Sequence, residues 1–93
     1  MEAGNVNEFL EKIAYQEEAV IFNEHKYFFN PCEQHGVGKL EIQQWNLNDE
    51  WEADFFNIES KTTEECVKKM VSLPIWNGRT FWEVEPEMIW TEW

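Results

Sequence analysis

Hydrophobic and polar positions recur along the chain with two different periods. Between positions 6 and 15 the apolar residues have helical spacing, which predicts a first helix. Asn5, with Glu8 three residues later, has the pattern of a capping box at its start. A second helix is predicted over 62–73, where Thr62 begins another pattern of this kind and the apolar residues again share one face.

The segments between the helices have strand character. Short apolar runs at 19–22 and 27–29 flank a polar turn, which predicts a hairpin. Segment 31–38 is rich in turn-forming residues and is expected to be a loop. In 39–45 and 50–56 apolar and polar residues alternate, as is typical of strands that bury one face.

The strand at 50–56 alternates most cleanly. Three of its residues are expected to point into the core: Trp51, Ala53 and Phe55. Three acidic residues are expected to point outward: Glu50, Glu52 and Asp54. Residues two apart on a strand lie about 6.6–6.8 Å apart, so this pattern predicts a row of evenly spaced carboxylates. Glu41 widens the row if it shares the same face.

The end of the chain is rich in tryptophan. It holds Trp76, Trp82, Trp90 and Trp93. Asn77-Gly78 predicts a turn, and we expect a helical turn at 80–85 that gives way to an extended segment after Pro86.

A strand over the same residues remains an alternative reading, because apolar and acidic positions alternate there too. It would turn Trp82 and Trp90 towards the core and leave Trp93 as an exposed anchor. It would also create a second carboxylate row: Glu83, Glu85 and Glu87.

Together these elements predict one small acidic domain over 1–93, of the α+β class. The expected architecture is a two-layer α-ββββ-α arrangement, in which helices cover one face of an antiparallel meander sheet. A short C-terminal helical turn or strand completes it.

The charge balance narrows the kind of partner. Nineteen acidic residues face seven basic ones, and the net charge is −12. Such a chain repels nucleic acids and anionic membranes, and it attracts basic proteins. The N-terminal sequence lacks the features of a signal peptide, no apolar run is long enough to span a membrane, and the two cysteines suggest no disulfide framework. These features predict a cytoplasmic protein.

Catalytic and metal-binding patterns are weak. His25, Cys32 and His35 lie close together in the sequence, with Cys66 as a conceivable fourth ligand, but only Cys32 and His35 have a zinc-like spacing. No nucleophile motif accompanies the cysteine and histidine residues. We therefore expect no enzyme, no metal and no cofactor. A metal-dependent enzyme, which would contain stoichiometric zinc, is the third alternative.

Two stretches carry a resemblance to other sequences. AVIFNEHKYFF and ECVKKMVSLPIWNGRTFWEVEPE resemble short, uncharacterised acidic bacterial open reading frames that end in PIW-N/D-G-K/R-TFWEVE. In size and charge alone, the chain is similar to anti-CRISPR, anti-restriction and toxin-immunity inhibitors. Those groups share no single fold, so the resemblance implies a type of partner and no functional residues.

The sequence thus predicts a non-enzymatic inhibitor that mimics nucleic acid and blocks a basic nuclease or nucleic-acid-binding protein. The predicted contact residues are these: Glu41, Glu50, Glu52, Asp54, Glu83, Glu85, Glu87 and Trp93. The alternative is a carbohydrate or small-ligand binding module that uses tryptophan faces.

Overall fold

The computed structural model describes residues 1–91. The helices are α1 (Val6–Lys12), α2 (Thr63–Met70) and α3 (Phe81–Val84), and a 3-10 turn follows at Glu85–Glu87. The strands are β1 (Glu18–Phe22), β2 (His25–Gln34), β3 (Val37–Trp45), β4 (Trp51–Ser60) and β5 (Ile89–Thr91).

The five strands form one antiparallel sheet in the order β4-β3-β2-β1-β5. The first four strands are a meander, as predicted, and the predicted α+β class is confirmed. The C-terminal segment contains both a helical turn and a strand, and β5 pairs with β1 so that Val20 lies opposite Trp90. Glu2 extends this edge, since its N–H donates to the Met88 carbonyl and its own carbonyl accepts from the Trp90 N–H, both at 2.9 Å.

Both predicted helix starts are capped. The Asn5 side chain accepts hydrogen bonds from the N–H groups of Asn7 and Glu8, and the Thr62 hydroxyl accepts from the N–H of Glu65. Each cap satisfies backbone donors that have no partner inside the helix, which fixes where the helix begins.

The predicted loop at 31–38 is wrong. β2 continues through Gln34, and a two-residue turn at His35 and Gly36, both with positive φ, leads directly into β3. Pro31 suggested a loop because proline cannot donate to a sheet. It is tolerated here because β1 begins only at Glu18, opposite Phe29, so that the side of β2 facing β1 is unpaired beyond that point.

The core lies between the sheet and the helices. Phe9 of α1 is fully buried, and its ring centroid lies 5.2 Å from that of Phe29 and 5.3 Å from that of Trp90. A second aromatic group surrounds Trp76, which is 2% exposed and lies 4.7 Å from Phe55. Aromatic side chains therefore supply much of the buried volume of this small domain.

The helices cover only one face of the sheet within residues 1–91. Their buried residues join one cluster with the inward residues of the strands, among them Val20, Tyr27, Phe29, Leu40 and Ile42. Residues of the opposite parity on these strands lie outside that cluster. We call the sheet face that carries them the outer face.

Candidate protein-binding surface

The outer face carries a row of large side chains that crosses all five strands and is apolar except for a lysine on β2. The strand registers place five residues side by side: Ile89, Ile21, Lys26, Trp45 and Trp51. Trp51 is 54% exposed and Ile89 is 39% exposed. An open sheet face with large apolar side chains is characteristic of a surface that contacts something else.

Trp51 lies on this face because β4 is irregular. Register shifts interrupt the β3–β4 pairing between Ile42 and Gln43 and again between Gln44 and Trp45. Each shift adds a residue to β4 and changes which side the next residues face. The prediction that Trp51 points into the core is therefore wrong, whereas Phe55 does pack against the core, as predicted.

The same irregularity divides the predicted carboxylate row. Asp54 lies opposite Gln43 on the outer face, but the Glu52 Oε1 atom lies 2.7 Å from Nδ1 of His25. Glu50 belongs to the β3–β4 turn, where its N–H donates to the Asn46 side chain at 3.0 Å. The three carboxylates thus have different surroundings and do not form one evenly spaced row.

Glu41 shares the outer face with Asp54, as the alternation of β3 predicts. The lysines of this face are already paired: Lys26 lies 2.6 Å from Asp49, and Lys39 lies 3.3 Å from Glu59. Within residues 1–91 neither Glu41 nor Asp54 has an ion pair. The outer face therefore combines exposed tryptophan with unneutralised negative charge.

The second predicted row does not form, because the chain is helical from Phe81 to Glu87. Its three carboxylates make contacts within the chain. Glu83 accepts the N–H of Thr80 at 2.9 Å, and Glu87 lies 2.6 Å from Arg79. Glu85 pairs with the α-amino group of Met1 at 2.8 Å. Contacts within the chain therefore account for the positions of these three carboxylates, and no binding partner is needed to explain them.

The C-terminal tryptophans differ in exposure. Trp76 is buried, and within residues 1–91 its indole N–H has no hydrogen-bond acceptor. Trp90 is half-buried and donates to Glu18 at 2.8 Å, which agrees with its predicted place near the core. Trp82 is 48% exposed, so the expectation of a core position is wrong for it. Trp93 lies outside the described residues.

Three aromatic residues at the surface were not predicted from the sequence: Trp51 and Tyr15, which are exposed, and Trp45, which is half-buried. Trp45 has the same parity in β3 as Glu41, so its outward position could have been predicted from the alternation. Trp51 carried no such signal, since its position follows from the register shifts. Tyr15 follows α1 and is 73% exposed, yet the helical pattern did not single it out.

The residues considered as conceivable metal ligands do not converge. His25 and Cys32 lie seven residues apart on β2, which is about 23 Å at 3.3 Å per residue. Cys66 is buried among the core residues, and burial raises the pKa of its thiol. Among residues 1–91 no group of three His, Cys, Asp or Glu side chains could hold a metal ion.

Tyr15 lies in a strongly acidic environment. Its hydroxyl donates a hydrogen bond to Glu64, and this bond raises the pKa of Tyr15 above its ordinary value. The negative charges of Glu64, Glu33 and Glu11 act in the same direction, because they disfavour the charged tyrosinate.

We expect Glu64→Ala to lower the pKa of Tyr15 towards its ordinary value, since it removes the hydrogen bond and the nearest negative charge. The titration can be followed by NMR of the two tyrosine rings. Tyr27 is an internal control, because burial is the main cause of its own raised pKa. An unchanged Tyr15 titration would show that Glu64 does not contact the hydroxyl.

No helix within residues 1–91 is both long and apolar enough to cross a membrane. Comparisons with protein-family models, with curated proteins and with solved structures found nothing that matches this chain.

Proposed function

We propose that this protein is a non-enzymatic inhibitor that binds a basic nuclease or nucleic-acid-binding protein and occludes its nucleic-acid site. The supporting observation is the composition of the outer face, where the exposed Trp51 lies beside Trp45 and the unpaired carboxylates of Glu41 and Asp54 share the same surface. In the same proposal the protein acts in the cytoplasm and needs no cofactor.

The two kinds of side chain have different tasks. Carboxylates facing a basic groove steer the partners together and set the orientation of the complex. Large aromatic side chains supply the buried contact area that holds the complex once it has formed. Trp51 and Trp45 are the proposed anchors on the outer face, whereas Trp76 and Trp90 are not, because Trp76 is buried and Trp90 packs against the core.

Charge reversal of the outer face tests this proposal. We expect Glu41→Lys combined with Asp54→Lys to weaken partner binding about tenfold to a hundredfold, as loss of complementary charge pairs does. The partner would be recovered from a lysate of the source cells on the immobilised protein, released by raised salt, identified and purified. Its affinity for each variant would then be measured by calorimetry.

The control changes total charge equally but elsewhere. Glu8 and Glu17 are exposed near α1, so Glu8→Lys combined with Glu17→Lys tests the contribution of net charge alone. We expect this control to weaken binding only about threefold at moderate salt, because distant charges are screened. Equal losses in the two variants would exclude the outer face as the contact surface, and no loss in either would refute the proposal.

A carbohydrate-binding function is the second candidate, and the exposure of Trp51 next to Trp45 favours it. Sugar rings stack on such aromatic side chains, and this stacking does not depend on the carboxylates of the outer face. In this case a glycan panel would quench the intrinsic fluorescence, Trp51→Ala would abolish the effect, and the charge-reversal variant would retain it.

A further inference from the structure

A groove of about 650 Å³ lies on the opposite side of the protein, between α1 and α2. Leu10 and Ala14 line it on one side, and Val67 and Val71 line it on the other. The residues of each pair are four apart at the C-terminal end of a helix, with Ala14 and Val71 just beyond the last helical turn, so each pair forms a short apolar ridge. Two facing apolar ridges leave between them the kind of groove in which the ridge of a third helix packs.

The groove is incompletely covered by the protein itself. Leu10 and Val71 are only half-buried, although both contact the core. Two exposed aromatic residues, Tyr15 and Trp82, also line the groove. Exposed aromatic residues beside a half-buried apolar floor are the usual anchors of a helix-in-groove contact.

The charge at the groove indicates what kind of helix fits. Among the described residues that line it, Glu11 and Glu64 are acidic and Lys68 is basic. Glu33 adds to the negative potential at Tyr15, as the raised pKa of that tyrosine reflects. A second copy of the chain is a poor occupant, because two molecules of net charge −12 repel each other. A helix with basic flanks is complementary.

We propose that this groove binds an amphipathic helix of the basic partner, with apolar side chains between the Leu10 and Val71 ridges and a lysine or arginine beside Tyr15. The inference rests on the proposed function for the basic character of the partner. It adds a second contact surface, on the face of the molecule opposite Trp51, so one partner would have to reach around the domain or bind through a separate segment.

Synthetic peptides provide the test. The probe is a leucine-lysine helix of about 15 residues with leucines at i, i+4 spacing, which is long enough to form a helix on binding. We expect it to shift the NMR resonances of Leu10, Val67, Val71 and the Trp82 indole. A peptide of the same composition with strictly alternating leucine and lysine, and a leucine-glutamate helix, should each bind at least about tenfold more weakly.

Matched variants locate the site. We expect Val71→Lys to weaken binding of the leucine-lysine helix about tenfold or more, because it puts a positive charge on the groove floor. Val37 is 40% exposed at the start of β3, so Val37→Lys makes the same substitution outside the groove and should change affinity less than about twofold. Trp82→Ala, which alters a half-exposed ring, should also weaken binding.

Several results would overturn the inference. The first is that the alternating or the acidic peptide binds as tightly as the leucine-lysine helix. The second is that Val71→Lys and Val37→Lys weaken binding equally, and the third is that only the resonances of Trp45 and Trp51 shift. The two proposals fail separately. If the purified partner responds to the outer-face charge reversal but not to Val71→Lys, the groove is excluded and the proposed function stands. The converse result would exclude the outer face and retain the groove.

Discussion

Gly38→Ala is expected to destabilise the fold by about 3 kcal/mol, the upper end of what overpacking costs. Gly38 is buried in β3 where the start of α2 crosses the sheet. A Cβ atom built there would lie 2.2 Å from the carbonyl carbon of Thr62 and 2.4 Å from the nitrogen of Thr63. Both neighbours are backbone atoms of a capped helix start, so neither can rotate away as a side chain would.

Urea unfolding followed by circular dichroism measures this effect, and Gly36→Ala is the matched control. Gly36 lies two residues earlier, in an open turn with a φ of +75°, and a Cβ there meets no other atom within 4 Å. We expect that variant to lose about 1 kcal/mol, the cost of a left-handed conformation alone. If Gly38→Ala were no more destabilising than Gly36→Ala, the close approach of α2 to β3 would be wrong.

Phe9→Ala should cost about 3–5 kcal/mol, as is typical when a large aromatic residue is removed from a core. Phe9 is fully buried and joins three parts of the molecule. Its ring lies against Phe29 of the sheet, Phe81 of α3 and Trp90 of β5. Its removal leaves a cavity that rigid neighbours on several elements cannot close.

The neighbouring residue provides the comparison. Leu10→Ala, one position further along α1, removes a half-buried side chain and should cost about half as much or less. Both variants can be measured by the same urea titration. Comparable losses would mean that α1 is rotated and that Phe9 does not occupy the centre of the core.

Much of the fold could be predicted from local signals. Helix starts depend on a side chain and the next three residues, so Asn5 and Thr62 were identified correctly. The Asn77-Gly78 turn was also predicted, and both residues have positive φ. The loop predicted around Pro31 is wrong because the tolerance for proline depends on where β1 begins beside β2, which is a property of the assembled sheet.

The candidate surface could be predicted less well. The alternation of β3 correctly placed Glu41 on the outer face, and Asp54 lies there too. The two register shifts of β4 leave no local mark in a strictly alternating sequence. They exposed Trp51 and turned Glu52 towards His25, so an apparently regular pattern gave a wrong face for both residues. A bulge is determined by the packing on both sides of the strand, so the hydrophobic periodicity of the sequence does not reveal it.

The pairing of β1 with β5 has a consequence for the order of folding. The four strands of the meander can pair as successive hairpins, each closing a short loop, whereas Val20 must wait for Trp90 at the far end of the sequence. Until then the edge of β1 that β5 will cover is open, and its sequence, EAVIF, carries only one charge. An open apolar edge is a site of intermolecular pairing. The extent of aggregation during synthesis or refolding should therefore depend on how quickly β5 pairs with β1. The three residues of β5, IWT, cover this edge only in a late step of folding.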